Sequence, residues 1–340
     1  MIDPDSNHTL STVTVDRRSD DTVEIRWNPT PGSSSMTIYG GYSPDGIDET
    51  SPLARVNARS VVALDGLEPD RPHYFKLAAA DGTTRIVGER RPAVEGAPNL
   101  RDLGGYETPA GRHVRWGQVF RSSNLSRLTD KGLGYIGNMG IRHVYDLRTD
   151  AEVLRMPNRF PDSGGVGYHR LPVQHGDFEP TSVFERIRKG DWEWISEEFM
   201  LQGYIESIEH SPQVWHRLFS DIAVPQNRPL LFHCTGGKDR TGTFAALLLL
   251  TLGVPEASVV RDYGLSDGYN AETRKMIYAQ LRPLGVDIAR VEPYFTAPES
   301  RIRMLLDYIR KHYGTAVDYL VKKAGVSEKT IELLRDDLLE

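Results

Sequence analysis

Apolar and polar positions alternate with two different periods along this chain, and the change of period divides it. From about Thr12 to Val87, apolar residues recur at every second position in TVTV, TVEIRW, SMTIYGGY, SVVAL, HYFKLAAA and TRIVG, with Pro, Gly, Asp and Ser clusters between the runs. A period of two lines one face of a strand, so these segments predict short half-buried strands and an all-β antiparallel sandwich. The stretch from Gly88 to Asn99, GERRPAVEGAPN, is rich in Pro, Gly and charge and predicts a linker. The boundary is set near residue 95, giving units 1–95 and 96–340.

Beyond it, strands and helices alternate. Ser126 to Asn138 predicts a short helix, HVYDL from His143 and YHRLPV from Tyr168 predict strands, Trp192 to Glu209 predicts a helix, and PLLFHC predicts a buried strand ending at Cys234. After Gly242 the run FAALLLLTLGV reads as a helix buried nearly all round. Helices are expected over Glu256–Leu265, Ala271–Leu284, Glu299–His312, Thr315–Lys323 and Glu328–Leu339, with Ser327 as a cap and breaks at Gly285, Gly314 and Gly325. This order predicts an α/β domain whose central sheet is mostly parallel and flanked by helices. The aromatic residues Phe184, Trp192, Trp194, Phe199 and Tyr204 read first as a core face, with a helical lid as the alternative.

Composition narrows the function classes. The 340 residues carry 41 Lys and Arg against 47 Asp and Glu, a net charge of −6, so no global positive field exists to hold nucleic acid or an anionic membrane. The acidity sits at the front, where residues 1–95 have 10 basic and 15 acidic side chains, whereas Asn99 to Phe160 has 10 basic and 6 acidic. The first ten residues lack the pattern of a secretory signal, and the longest apolar stretch is too short to span a bilayer, so a cytoplasmic protein is expected. Cys234 is the only cysteine, which excludes an intramolecular disulfide or a multi-thiolate metal site, and the 10 histidines show no spacing that demands a metal.

That lone thiol sits in the most informative text of the chain, HCTGGKDRTG from His233 to Gly242. A turn between an apolar strand and an apolar helix aims successive backbone N–H groups and a helix N-terminus at one point, which makes an anion cradle. Gly236 and Gly237 supply backbone freedom, and Thr235 and Lys238 complete the turn. A thiol at a helix N-terminus beside arginine is favoured as thiolate, so Cys234 is the expected nucleophile. Arg240 offers a planar fork that fits two phosphoryl oxygens. Together they describe in-line attack of sulfur on a phosphate monoester.

The loop resembles the signature of the cysteine-dependent protein-tyrosine phosphatase superfamily, in which HC is followed by five residues, arginine, and serine or threonine. With NLRDLGGY at Asn99, VFRSSNLSRL at Val119 and DLRT at Asp146, the chain is similar to the bacterial tyrosine and dual-specificity branch, related to phosphoinositide phosphatases. The resemblance implies a phosphocysteine intermediate on Cys234, transition-state contacts from Arg240, and a hydroxyl at Thr241 that eases departure of the sulfur. His233 is expected to order the loop. No cofactor or metal is implied. The front unit, with Trp27 and with Gly66-Leu67-Glu68-Pro69 before His73-Tyr74-Phe75, resembles a fibronectin type III module of immunoglobulin-like fold. It is expected to stabilise the enzyme or bind a protein partner.

The proton donor is less plainly written, since the sequence contains no WPD tripeptide. A leaving oxygen needs a carboxylic acid within hydrogen-bond reach. Asp239, inside the loop, is the first candidate, Asp146 at the end of HVYDL the second, and Asp177 in QHGDFEP the third. Phosphotyrosine in proteins is the expected substrate, with dual-specificity action on phosphoserine and phosphothreonine, or phosphoinositides, as the alternative; Lys238 adds a cation that resembles the lipid-phosphatase form of the loop and favours that wider range. Arg101 and Asp102 are expected either to form an ion pair in a Gly-rich turn or to shape the pocket floor, Asp146 and Arg148 to pair with each other or cap a helix, and Asp262-Tyr263 to pack in the core. A catalytically dead phosphate-binding adaptor and a thiol redox sensor are the rival readings.

Overall fold

The structure, a computed structural model, describes residues 10, 13–28, 35–57, 59–160, 165–173 and 180–340. Its front unit is a sandwich of two antiparallel sheets. Strands β1 (Val13–Arg17), β2 (Val23–Trp27) and β6 (Val61–Leu64) form one, in the order β1-β2-β6; β3 (Ser35–Gly41), β4 (Ile47–Asp48), β5 (Ala54–Asn57), β7 (Tyr74–Ala79) and β8 (Thr84–Gly88) form the other. The alternation seen in the sequence is the reason: Val23, Ile25 and Trp27 face inward from β2 and meet Ile38, Phe75 and Leu77 from the second sheet. The short β4 and β5 are the strands whose pattern was too brief to read.

The second unit has a five-stranded sheet in the order β12-β11-β13-β10-β9, from β9 (Arg101–Asp102), β10 (Val119–Ser122), β11 (His143–Asp146), β12 (Gly167–Arg170) and β13 (Leu230–His233). The four longer strands run parallel and β9 alone is antiparallel. Helices α1 (Asp130–Asn138), α2 (Asp150–Arg155), α3 (Pro180–Arg188), α4 (Glu197–His210) and α5 (Pro212–Ile222) precede β13, and α6 (Asp239–Thr251) follows it. The rest is helical: α7 (Glu256–Tyr269), α8 (Ala271–Leu281), α9 (Ile288–Phe295), α10 (Glu299–Tyr313), α11 (Ala316–Lys322) and α12 (Glu328–Leu338). No helix among the described residues is long and apolar enough to cross a membrane.

Caps explain where the helices depart from expectation. The α1 helix starts four residues later than Ser126 because the Thr129 hydroxyl accepts from Gly132 N–H. Similarly, Ser196 caps α4 through Phe199 N–H, so Trp192 to Ile195 lies in the preceding turn and not in the helix. The α6 helix is buried on every side, as its unbroken apolar run required, with Phe244 edge-on to Phe232 of β13 and stacked on Trp215 of α5. Each such fully buried side chain contributes about 1.5–3 kcal/mol. This packing fixes α6, and therefore the turn in front of it.

Two features of the junctions matter for the site. Val94 and Ala97, in the expected linker, are buried in the core of the second unit with Leu100 and Phe120, so the segment is packed and not a free tether. The front unit is seated on α1 and β9: Asn138 Nδ2 donates to Asp70 O at 3.0 Å, and the Tyr74 hydroxyl lies 3.5 Å from Asp102 Oδ2. A separate small core joins Val183 and Ile187 of α3, Ile195, Leu281 of α8, Val286 just before α9 and Val291 within it, with Trp192, Trp194 and Phe295 against it. The aromatic series thus splits: the two tryptophans join this satellite, while Tyr204 enters the main core.

Candidate active site

The turn from β13 into α6 has its carbonyls tied outward. Leu147 N–H donates to His233 O at 2.8 Å, and His233 Nδ1 donates to Cys234 O at 3.0 Å. Asn124 gives both its backbone N–H, at 3.0 Å, and its side-chain amide, at 2.9 Å, to Thr235 O. Gly236 O accepts from Asn99 and Asn270, each at 3.0 Å, and Gly237 O from Asn99 at 2.9 Å and Arg121 at 2.8 Å. In a planar trans peptide the N–H points away from its C=O, so these bonds leave the following N–H groups facing the inside of the turn, beside the α6 N-terminus. The concavity is an anion site by construction. Gly237 is what allows it: its φ is +65°, and a Cβ there would lie 2.4 Å from Ser122 O.

A carboxylate on the next helix holds the donors in place. Asp262 of α7 accepts from Arg101 Nε at 3.0 Å, the Tyr106 hydroxyl at 2.9 Å and Arg121 Nη1 at 2.6 Å, all buried or half-buried. Burial opposes its ionisation, but Arg101 and Arg121 outweigh that and keep its carboxyl well below the ordinary range. Asp262 therefore organises the loop through Arg121 as well as packing in the core. The expected Arg101–Asp102 pair does not form; Asp102 accepts instead from Gly104 and Gly117 N–H, both at 2.7 Å. A two-residue β-strand points neighbouring side chains to opposite faces, which separates them.

Cys234 sits at the foot of the turn, 2% exposed, and Arg240 on the first turn of α6 is 5% exposed. Both Arg240 terminal nitrogens bond Glu152 of α2, Nη1 to Oε2 and Nη2 to Oε1, each at 2.7 Å. Burial lowers the arginine's proton affinity, and Glu152 more than restores it. For Glu152 the same balance runs the other way: burial pushes its carboxyl up, and Arg240 with Thr235 brings it down to about 2. Glu152 also closes a capping box with Thr149 at the start of α2. That T-x-x-E spacing was visible in the sequence as a helix start, with nothing to mark the glutamate as the arginine's partner. The Thr241 hydroxyl is buried without a hydrogen-bond partner among the described residues.

The candidate acids occupy different settings. Asp146 is fully buried and accepts from Arg148 at 2.7 and 2.9 Å, from the Tyr168 hydroxyl at 2.7 Å and from Asn158 at 3.2 Å. Burial raises its carboxyl, yet its partners bring it down to about 2. The charge of His233 and the Arg148 guanidinium both favour the carboxylate, while burial pushes His233 itself below its usual value. These donors favour the charged form of Asp146. Asp239 stands at the first position of α6 with its Oδ1 accepting from the Tyr204 hydroxyl at 2.5 Å and its Oδ2 3.4 Å from Lys238 Nζ. Asp177 lies outside the described residues. Lys238 Nζ donates to Tyr294 O at 2.6 Å and Thr296 O at 3.0 Å, which ties the end of α9 to the loop; burial lowers its proton affinity. Arg301 of α10 donates to Thr296 O at 2.8 Å and Pro293 O at 2.9 Å from the other side.

An inward ring of amides, a buried thiol at its foot and a guanidinium locked in plane make a cradle whose shape and charge fit a tetrahedral oxyanion beside the sulfur. Fold and turn together define a cysteine-dependent phosphatase on an α/β sheet. The chain belongs to the tyrosine phosphatase family, whose sequence model matches residues 92–340. It is 30% identical over 277 residues to the triple specificity protein phosphatase PtpB of Mycobacterium tuberculosis, covering 72% of this chain and 97% of that one. It is 29% identical over 247 residues to a Cupriavidus necator protein named as a tyrosine-protein phosphatase, covering 71% of this chain and 86% of the relative. Among solved structures, a fibronectin type III domain of the human collagen alpha-1(XX) chain is similar to 26% of this chain and 85% of its own length, at 18% identity and a TM-score of 0.19.

Proposed function

We propose that Cys234 Sγ attacks the phosphorus of a bound phosphate monoester, with phosphotyrosine in proteins as the preferred substrate. The amides of Thr235, Gly236, Gly237 and Lys238 receive the non-bridging oxygens, and Arg240, turned by Glu152, spans two of them in the transition state. Asp239 delivers the proton to the leaving oxygen, being the candidate carboxyl in the first turn of α6 directly after the loop, while Asp146 acts as a structural anion for Arg148. Water then hydrolyses the phosphocysteine, and the Thr241 hydroxyl, buried beside the loop, stabilises the departing thiolate. The single observation that carries this reading is the outward capture of the loop carbonyls around Cys234.

Lys238 favours a second substrate class. Its buried ammonium is held by the Tyr294 and Thr296 carbonyls, and when released from them it can meet a further phosphate, as on an inositol ring. We therefore extend the reading to phosphoserine, phosphothreonine and phosphoinositides. The name of the Mycobacterium relative, a triple specificity phosphatase, supports that breadth. We also place the boundary between the sandwich and the catalytic unit near residue 95.

The test is phosphate release from a phosphotyrosine peptide, a phosphoserine peptide and phosphoinositide vesicles in parallel, with chelator present. Turnover that resists chelator and vanishes in Cys234→Ser is expected. Equal turnover by that variant, or none by the wild-type chain on any substrate, removes the proposal and brings forward the adaptor or redox reading.

A further inference from the structure

Two tyrosine hydroxyls end a buried chain on Asp239. The Tyr204 hydroxyl, from α4, is 2.5 Å from Asp239 Oδ1 and 2.5 Å from the Tyr263 hydroxyl of α7. Both side chains are at most 1% exposed, and their rings cross at 62° with centroids 6.4 Å apart. A carboxylate oxygen can only accept, so Tyr204 donates to Asp239 and Tyr263 donates to Tyr204. Phenylalanine would fill the same apolar space. Burying two hydroxyls is costly unless they are bonded, so their presence here points to what they bond. Burial also raises both phenols above their usual range, so each keeps its proton to give.

We propose that Tyr204, backed by Tyr263, is a positioning residue for proton delivery by Asp239. The inference rests on the reading of Asp239 as the acid. In that step the Cys234 Sγ–P bond forms as the ester P–O bond breaks; the bonding pair stays on the leaving oxygen, which takes the proton from Asp239 and leaves a carboxylate. A phenol bonded to a carboxylic acid is bonded more strongly to a carboxylate, so the Tyr204 contact gains strength as charge develops on Asp239. It also fixes the plane of the carboxyl against rotation about its own side chain. Among the described residues, the groups that also face Asp239 include Lys238 in the loop, Tyr294 of α9 and Arg301 of α10, so the Tyr204 contact acts against a background that holds cations and a further phenol.

The test compares kcat/KM for 4-nitrophenyl phosphate, a leaving group that needs little acid help, with that for a phosphotyrosine peptide and an alkyl phosphate, across pH. The full-length wild-type chain, Tyr204→Phe, Tyr263→Phe and Asp239→Asn are each measured. Asp239→Asn is expected to lose about 10²- to 10⁴-fold on the poor leaving groups and little on 4-nitrophenyl phosphate. Tyr204→Phe is expected to show the same leaving-group dependence at about ten- to a hundredfold, with its basic limb moved to higher pH, and Tyr263→Phe a smaller version. The ratio between leaving groups does not depend on the fraction of protein folded. Equal losses on all substrates by Tyr204→Phe, with the dependence kept in Asp239→Asn, would overturn the inference alone. No dependence in Asp239→Asn would overturn the acid assignment and the inference with it.

Discussion

Glu152 grips Arg240 with both carboxylate oxygens, at 2.7 Å each, from a helix 88 residues earlier in the chain. The pair leaves the guanidinium one rotational setting, so its orientation is paid for in folding and not at the moment of reaction. Glu152→Gln keeps the shape, but its side-chain NH₂ would meet an Arg N–H. The expected result is a drop of about ten- to a hundredfold in kcat/KM, equal for good and poor leaving groups, because phosphoryl binding is disturbed and proton delivery is not. Steady-state kinetics on two aryl phosphates check it.

Gly237 gives a prediction about backbone. Alanine there meets both a φ of +65° and a Cβ 2.4 Å from Ser122 O, so the loop must move away from β10. Gly237→Ala should lose about 2 kcal/mol of stability and nearly all activity, since the displaced amides no longer converge. Gly236→Ala, where a Cβ finds only Lys238 Cγ at 3.6 Å, should be far milder. Denaturant melts and phosphate release on the two variants separate these outcomes.

Acid stability follows from the two buried carboxyls drawn down to about 2, Asp146 from 3.8 and Glu152 from 4.5. Both bind fewer protons folded than unfolded, so each contributes stability that is present above about pH 5 and lost as pH falls toward 2. The contribution is on the order of 2–3 kcal/mol each. Urea unfolding from pH 7 to pH 3 should show the decline. Asp146→Asn should flatten it at the cost of lower stability at pH 7, where Arg148 loses its partner.

Lys238 links the loop to the end of α9 through two carbonyls. Lys238→Met should leave the fold intact and speed amide hydrogen exchange in residues 288–297. Phosphoinositide turnover should fall about tenfold further than phosphotyrosine turnover, because only the lipid substrate offers a second phosphate to the ammonium. Equal losses on both substrates would argue against a lipid-directed role.

Much of this molecule is local in origin. Period-two alternation specified the sandwich strands, an apolar strand and an apolar helix bracketed the turn, and HCTGGKDRTG carried the chemistry of the turn within ten residues. These are legible because a strand's face, a helix's buried run and a loop's glycines depend on near neighbours. The choice among Asp239, Asp146 and Asp177 was not legible, since a carboxyl's role depends on what surrounds it: Arg148 and Tyr168 lock Asp146, and Tyr204, 35 residues away, meets Asp239. Likewise Arg101 found Asp262 at a separation of 161 residues and not its neighbour Asp102, and Asn99, Asn124 and Asn270 converged on one turn from three distant segments. Sequence determined which groups could do the chemistry; packing of α2, α4 and α7 around β13 and α6 decided which were held, charged and aimed, because burial strengthens electrostatic partnerships only between groups the tertiary fold brings together.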